Sequence, residues 1–310
     1  MAVPMALALH GGCGTRTRQE LTPDIEAAVR AGLERALEAG WHHLRKGSSA
    51  LDAVTAAVIE LEDDPQFNAG HGAVFTSAGT HELDACVMVG QGQRAGAVAG
   101  SHRIRNPILA ARAVMEHSEE VLLAGPGADA FAEAQGLAMV DNSYFSTDWR
   151  RAALAEVQKL MARTGSIAGA SESQKHGTVG AVALDRSGGL AAATSTGGFT
   201  NKPVGRIGDT PIPGAGTWAD ENVAISLTGR GEFMMRLAAA KEIAVRVAYR
   251  GTSLGPACAG LIRELDQMEC GAGLVAVDKW GRITMPYNTQ GMYRASISET
   301  GARQIAIFRD

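Results

Sequence analysis

Thr178 and Thr196 are the residues from which chemistry is most readily built. They bound the run TVGAVALDRSGGLAAATST, two strand-like segments joined by the Gly-rich turn RSGG, and Gly177 stands immediately before the first threonine. An internal threonine has only an amide nitrogen, which is not a base. If the chain were cut between Gly177 and Thr178, the new N-terminus would gain an α-amine with a free pKa of roughly 7.7–8.0. That amine can take the proton from its own Oγ, directly or through a water, so one residue supplies nucleophile and base. Gly177 suits the preceding position because it lacks a Cβ. Thr178 Oγ could then attack the Gly177 carbonyl and leave an ester for water to open. A bare Gly-Thr also starts many ordinary strands, so the hairpin around it carries the weight.

Three-residue hairpin loops commonly place a glycine in a left-handed position. A loop of Arg186, Ser187 and Gly188 pairs Asp185 with Gly189 and sets Thr178 directly opposite Thr196. An even-numbered loop would put Gly197 there and send Thr196 to the other face. In the first register, the second hydroxyl could orient the Thr178 Oγ or amine.

Further groups lie downstream. In GRIGDTPIPGAGTWAD, Arg206 and Asp209 share a Gly/Pro loop with no evident apolar face. Arginine binds carboxylate through a two-pronged fork and aspartate pairs with ammonium, so together they could grip an amino acid. The plainer alternative is a surface ion pair of little energetic value. SLTGRGE places Thr228 and Gly229 where a strand meets a helix start. Donors there can stabilise an oxyanion, or Thr228 can simply cap the helix. GQGQRAG, at 90–96, has alanine where the dinucleotide fingerprint needs its third glycine, and strand rather than helix follows. It reads as a hairpin turn. No Walker A loop, HExxH motif or zinc-type Cys/His spacing is present, and His176 is read as structural.

The elements must bring these residues together. The chain has 310 residues, 45% hydrophobic, with a net charge of −4. It can bury a large core and exerts no global pull on nucleic acid or anionic membrane. The 38 glycines imply tight turns and close backbone approaches. Cys13, Cys86, Cys258 and Cys270 show no CxxC spacing, which fits a reducing cytoplasm. The start lacks the basic region of a signal peptide, and no apolar run is long enough to span a membrane.

Periodicity predicts a strand over Val3–His10, helices over Pro23–Lys46, from Ser48/Ser49 toward Leu61, Pro107–His117, Ala128–Gln135, Trp149–Met161 and Glu232–Arg250. Strand-like runs recur near 82–89, 95–104, 178–185, 190–197, 223–228, 273–278, 282–286 and 303–309, and VLLAG reads as a short strand. Thr164–Lys175 reads as a linker that could release a processed chain end. Strands apolar on both faces imply two sheets between helical layers.

Several long stretches, in order, resemble the plant-type L-asparaginases or isoaspartyl peptidases of the N-terminal nucleophile hydrolases. They are LALHGG, SALDAVTAAVIELEDDPQFNAGHGAVFTSAGTHELDACVM, HGTVGAVALD, AAATSTGGFTNKPVGRIGDTPIPGAGTWA, SLTGRGE and MPYNTQGMYRA. The resemblance implies an α+β fold of the αββα sandwich type in a single domain. It implies cleavage at Gly177/Thr178 into 1–177 and 178–310, with the linker near 164–177, and an (αβ)₂ assembly. It assigns Thr178 as nucleophile, Thr196 as its neighbour, Thr228 and the Gly229 N–H as oxyanion hole. Arg206, Asp209 and Gly231 become the substrate grip, with Asn68 supporting the site. It implies no catalytic cofactor, but a structural sodium ion on the carbonyls of Leu61, Glu62, Asp64, Phe67, Ala69 and His71. The implied reaction is hydrolysis of the β-amide of L-asparagine and of β-aspartyl dipeptides. The alternative is a glycosylasparaginase, which characteristically has HDT where this chain has HGT. Arg230 in TGRGE and Cys13 in HGGCG depart from the small residues common in the family.

Overall fold

The structure is a computed structural model that describes residues 4–165, 177–299 and 301–309. Strand β1 (Ala6–Gly12) leads to helices α1 (Pro23–Arg45) and α2 (Ala50–Asp63). Thr22 caps α1 by accepting from the Ile25 N–H, with Pro23 in the first turn, where its missing N–H costs nothing. Ser49 and Asp52 form a reciprocal capping box on α2. Next come β2 (Leu83–Val89), β3 (Ala95–Ser101), α3 (Pro107–His117), β4 (Leu122–Ala124), α4 (Gly125–Ala134) and α5 (Asp148–Thr164). Gly90–Arg94 is the turn between β2 and β3, which pair antiparallel. GQGQRAG is therefore a hairpin connection, as its sequence suggests.

After the undescribed stretch come β5 (Val179–Leu184), β6 (Leu190–Thr196), β7 (Thr217–Ala219) and β8 (Val223–Gly229). They are followed by α6 (Gly231–Leu237), α7 (Ala239–Arg250), α8 (Leu254–Gln267) and strands β9 (Ala272–Asp278), β10 (Ile283–Thr284), β11 (Gly291–Ser298) and β12 (Gly301–Phe308). One sheet has eight strands in the order β12-β11-β1-β5-β6-β2-β3-β4, and the other has four, β10-β9-β8-β7. The fold is thus mixed, with helices and two sheets.

Strand alternation divides the core in two. Leu7, Leu9, Ala181, Ala183, Ala191 and Ala193 join the cluster that includes α1, α2 and α3 residues. Ala6, Ala8, Val182, Leu184, Leu190 and Ala192 join the other, with β8, β9, α7 and α8 residues. Because side chains alternate with period two, Thr178 and Thr196 fall on this second face, toward the smaller sheet. Where the sheets meet the backbones approach closely: a Cβ on Gly180 would lie 2.0 Å from Ser226 Oγ.

Five differences from the sequence reading stand out. The helix read as Glu232–Arg250 is two helices, broken at Ala238, whose φ of 46° is left-handed. Helix α8 and strand β11 were not expected, and the strand over 282–286 shrinks to Ile283–Thr284. Thr164 closes α5, capped by Gly165, rather than opening a linker. The rest of that linker from 166, and His176, lie outside the described residues.

Candidate active site

The β5–β6 hairpin adopts the three-residue register. The Asp185 N–H donates to Gly189 O at 2.9 Å and the Gly188 N–H to Asp185 O at 3.0 Å. The ladder runs from Leu184 opposite Leu190 to Val179 opposite Ser195, so one more step sets Thr178 against Thr196. Both are buried, and the Thr178 hydroxyl lies 3.2 Å from Thr196 Oγ1.

The Gly177 carbonyl oxygen is the focus of this cluster. It accepts from Asn68 Nδ2 at 2.7 Å, Thr196 Oγ1 at 3.0 Å and Thr178 Oγ1 at 2.8 Å. Asn68 is itself fixed: its amide also donates to Gly198 O, and its Oδ1 accepts from the Val74 N–H. The Gly198 N–H donates to Thr196 Oγ1 at 2.9 Å, which turns the Thr196 proton toward Gly177. Donors converging on one carbonyl oxygen are the arrangement that stabilises negative charge there.

His10, unremarked in the sequence, braces Thr178 from β1. Its Nδ1 lies 2.9 Å from Thr178 O, so that nitrogen carries the proton, and Nε2 accepts from Ser226 Oγ at 2.9 Å. Burial pulls the imidazole down to about 3, keeping it neutral. Extending the alternation of LALHGG would have put His10 on the same face as Thr178.

The Gly12–Cys13 backbone joins Thr178 to Thr228. A Cβ on Gly12 would sit 3.2 Å from Thr178 N, while the Cys13 N–H donates to Thr228 Oγ1 at 3.3 Å. Thr228 and Gly229 end β8 just before α6, the strand-to-helix junction the sequence suggests.

Arg206, Asp209 and Gly231 converge, but not as an Arg–Asp pair. Arg206 Nε donates to Glu232 Oε1 at 3.1 Å, so its partner is a residue that sequence reasoning missed. Asp209 is 6% exposed and its Oδ2 makes no hydrogen bond. Burial pushes its carboxyl up to about 7 against the opposing pull of Arg206. A Cβ on Gly231 would lie 2.5 Å from Asp209 Oδ1 and 3.0 Å from an Arg206 nitrogen, so only a bare backbone fits between them. An unpaired buried carboxyl beside a guanidinium and an open backbone suits the ammonium and carboxylate of an amino acid.

The Leu61–His71 segment folds back on itself. The Glu62 side chain points away, accepting from Ser195 Oγ at 2.6 Å and the Ile108 N–H at 3.0 Å, and burial raises it to about 8. Its carbonyl faces the loop, where it accepts from the His71 N–H at 2.7 Å. Gly70 and Gly72, both left-handed, pack where a Cβ would strike Glu62 O at 2.4 Å, Pro65 O at 2.7 Å and Phe67 O at 2.8 Å. Of the six carbonyls the resemblance names, those of Glu62 and Phe67 lie against these glycines, and the Asp64 carbonyl accepts from the Phe67 N–H at 3.2 Å; oxygen ligands of this kind are what a hard cation takes. No cluster of three metal-binding side chains occurs among the described residues.

The comparisons place the chain among amidohydrolases. The family model described as Asparaginase matches residues 3–307, and the chain belongs to that family. It is 49% identical over 293 residues to the isoaspartyl peptidase of Escherichia coli (strain K12), covering 93% of this chain and 91% of that protein. It is 41% identical over 309 residues to the plant-type L-asparaginase of Pyrococcus furiosus, covering 95% and 97%. With the isoaspartyl peptidase/L-asparaginase of Mus musculus it shares 38% over 296 residues, covering 95% and 88%.

Proposed function

We propose that this chain hydrolyses the β-amide of L-asparagine and of β-aspartyl dipeptides, using Thr178 after the chain cleaves itself before that residue. In the first stage Thr178 Oγ attacks the Gly177 carbonyl carbon. The negative charge collects on the oxygen already held by Asn68 Nδ2 and Thr196 Oγ1. Collapse breaks the C–N bond, moves the Gly177 acyl group onto Oγ and frees the Thr178 amine, whose nitrogen takes up the proton given up by Oγ. Water then hydrolyses the ester to a Gly177 carboxylate and the free hydroxyl.

In the second stage the freed amine takes the Oγ proton as Oγ attacks the substrate's β-carbonyl. Arg206 releases Glu232 to hold the α-carboxylate. Asp209 and the Gly231 backbone hold the α-amine, and Thr228 Oγ and the Gly229 N–H take the oxyanion. Ammonia or the second amino acid leaves, and water releases aspartate. A sodium ion would sit on the carbonyls of Leu61, Glu62, Asp64, Phe67, Ala69 and His71, holding the loop that carries Asn68. The finer architecture of this reading is an αββα sandwich of the N-terminal nucleophile type, assembled as (αβ)₂ in the cytoplasm. The buried thiols of Cys86, Cys258 and Cys270 suit a reducing compartment.

The observation that carries the reading is the trio of donors on the Gly177 carbonyl oxygen, one of them the Thr178 hydroxyl. The measurement is the intact mass of the purified protein. Two chains meeting at Gly177/Thr178 are expected, and a single full-length chain in an active preparation would refute the mechanism.

A further inference from the structure

A second side of Thr178 carries charge that the mechanism leaves unused. A cavity of about 20 Å³ is lined by Gly177 and Asn68 and, beyond them, by Arg16, Trp149, Arg150 and Tyr293. None of the grip residues Arg206, Asp209 and Gly231 lines it, so it lies off the Gly177 side of the nucleophile. Arg150 is 3% exposed. Its Nε donates to Gly72 O at 2.8 Å, its guanidinium lies 3.8 Å from the Trp149 ring centre, and its Nη1 has no partner. Arg16 approaches the same indole at 4.9 Å. Among the described residues neither arginine makes an ion pair. Burial, aided by the charge of Arg16, pulls Arg150 down to about 9, still cationic at neutral pH.

Two cations sharing one ring, one fully buried and with a donor unspent, form a costly arrangement without an anion. The cavity has room for little more than one or two waters, hence for a carboxylate head rather than a whole side chain. It adjoins the space that Gly177 fills before cleavage. With Gly177 withdrawn after cleavage, that space would join Thr178 to a cavity that the aspartyl grip does not line, and a leaving group larger than ammonia could reach into it.

We infer that Arg150 and Arg16 form a subsite for the α-carboxylate of the amino acid released from a β-aspartyl dipeptide. The inference rests on the hydrolase reading above and extends it. Asparagine, whose leaving group is ammonia, has nothing to place there, so the subsite favours dipeptides. Guanidinium forks suit a carboxylate better than a lysine point charge does. A second carboxylate could reach the same arginines: the one that cleavage creates on Gly177.

The test compares kcat/KM of the cleaved enzyme for β-aspartyl-leucine, for β-aspartyl-leucinamide, in which only the leucine carboxylate is capped, and for L-asparagine. The wild type is expected to prefer the free dipeptide to its amide at least tenfold. Arg16→Gln, at a half-buried position that folding tolerates, should cut this preference at least threefold, and Arg16→Lys should restore part of it. Arg150→Lys, retaining charge within the core, should lower dipeptide hydrolysis relative to asparagine hydrolysis. Equal rates for dipeptide and amide in the wild type overturn the inference, as does an equal fall on all three substrates with the preference intact. Equal rates combined with a Gly177 end shielded from carboxypeptidase would assign the pocket to the chain's own carboxylate, again overturning it. A cleaved enzyme inactive on asparagine and on every β-aspartyl compound would instead sink the hydrolase reading itself, a result distinct from equal rates.

Discussion

The two halves of the site are built in opposite ways. The cradle around Gly177 O sits on a β-hairpin and an internally bonded loop, and its Asn68 and Thr196 donors are already engaged in the intact chain. The grip of Arg206, Asp209 and Gly231 is made by a Gly/Pro loop meeting a helix start. There Arg206 is paired with Glu232 and an Asp209 oxygen is paired with nothing. On the proposed mechanism, the satisfied cradle serves a reaction within its own chain, while the grip exchanges its Glu232 partner and its unpaired Asp209 oxygen for a substrate's charges. Cleavage and turnover should then be separable by mutation, although that mechanism uses Thr178 in both.

The largest effect is expected where the two halves share an atom. Thr178→Ala removes Oγ and should leave one uncleaved, inactive chain on a denaturing gel. Thr178→Ser should retain cleavage. The next largest falls on the cradle alone. Asn68→Asp keeps the acceptor for the Val74 N–H but loses the donor to Gly177 O. Losing one such donor costs roughly 10²–10³ in rate, so the cleavage half-time should lengthen by about that factor. Thr196→Ala should slow it less, since Asn68 remains. Cleavage at the wild-type rate in Asn68→Asp would remove the cradle from the mechanism.

Arg206→Ala probes the other half. Losing a buried charged partner costs ~2–5 kcal/mol, so kcat/KM for asparagine should fall at least about tenfold. Self-cleavage, which involves no substrate α-carboxylate, should proceed. A cleavage defect as large as the turnover defect would erase the distinction between the halves.

The smallest expected effect is a pH dependence of binding. With its carboxyl raised to about 7, Asp209 in the free enzyme takes up a proton as pH falls through 7 and can no longer pair with the substrate ammonium. This loss should appear in kcat/KM and not in kcat at saturation, where bound ammonium keeps Asp209 ionised. The sign for stability is the reverse. The folded carboxyl binds its proton more tightly than the unfolded one, near 3.8. From this group, stability without ligand therefore declines as pH rises from about 4 through 7. Asp209→Asn should remove both trends.

Much of the cradle was legible because it is local. An odd loop containing Gly188 decides the register, and the register puts Thr196 against Thr178. The charges around the grip were legible as residues but not as pairs. Glu232 reaches Arg206 only because β8 and α6 lie across the loop, and nothing in RIGD announces that. His10 and the Arg16–Arg150 pair are non-local in the same way, joining β1 to β8 and the segment after β1 to the first turn of α5. In the fold, Pro256 and two glycines hid α8, although proline is harmless in a first helical turn. Arg294, which turns its guanidinium back to Met292 O and Phe308 O, disguised β11 as polar. The break at Ala238 has no glycine or proline to mark it.

The most direct test of Thr178 as nucleophile is to quench the cleaved enzyme in acid while it turns over β-aspartyl-leucine, then locate any adduct by peptide mass. A β-aspartyl ester on the peptide beginning at Thr178 is the predicted result. An adduct on another residue, or turnover by a chain whose Thr178 is still joined to Gly177, would contradict it.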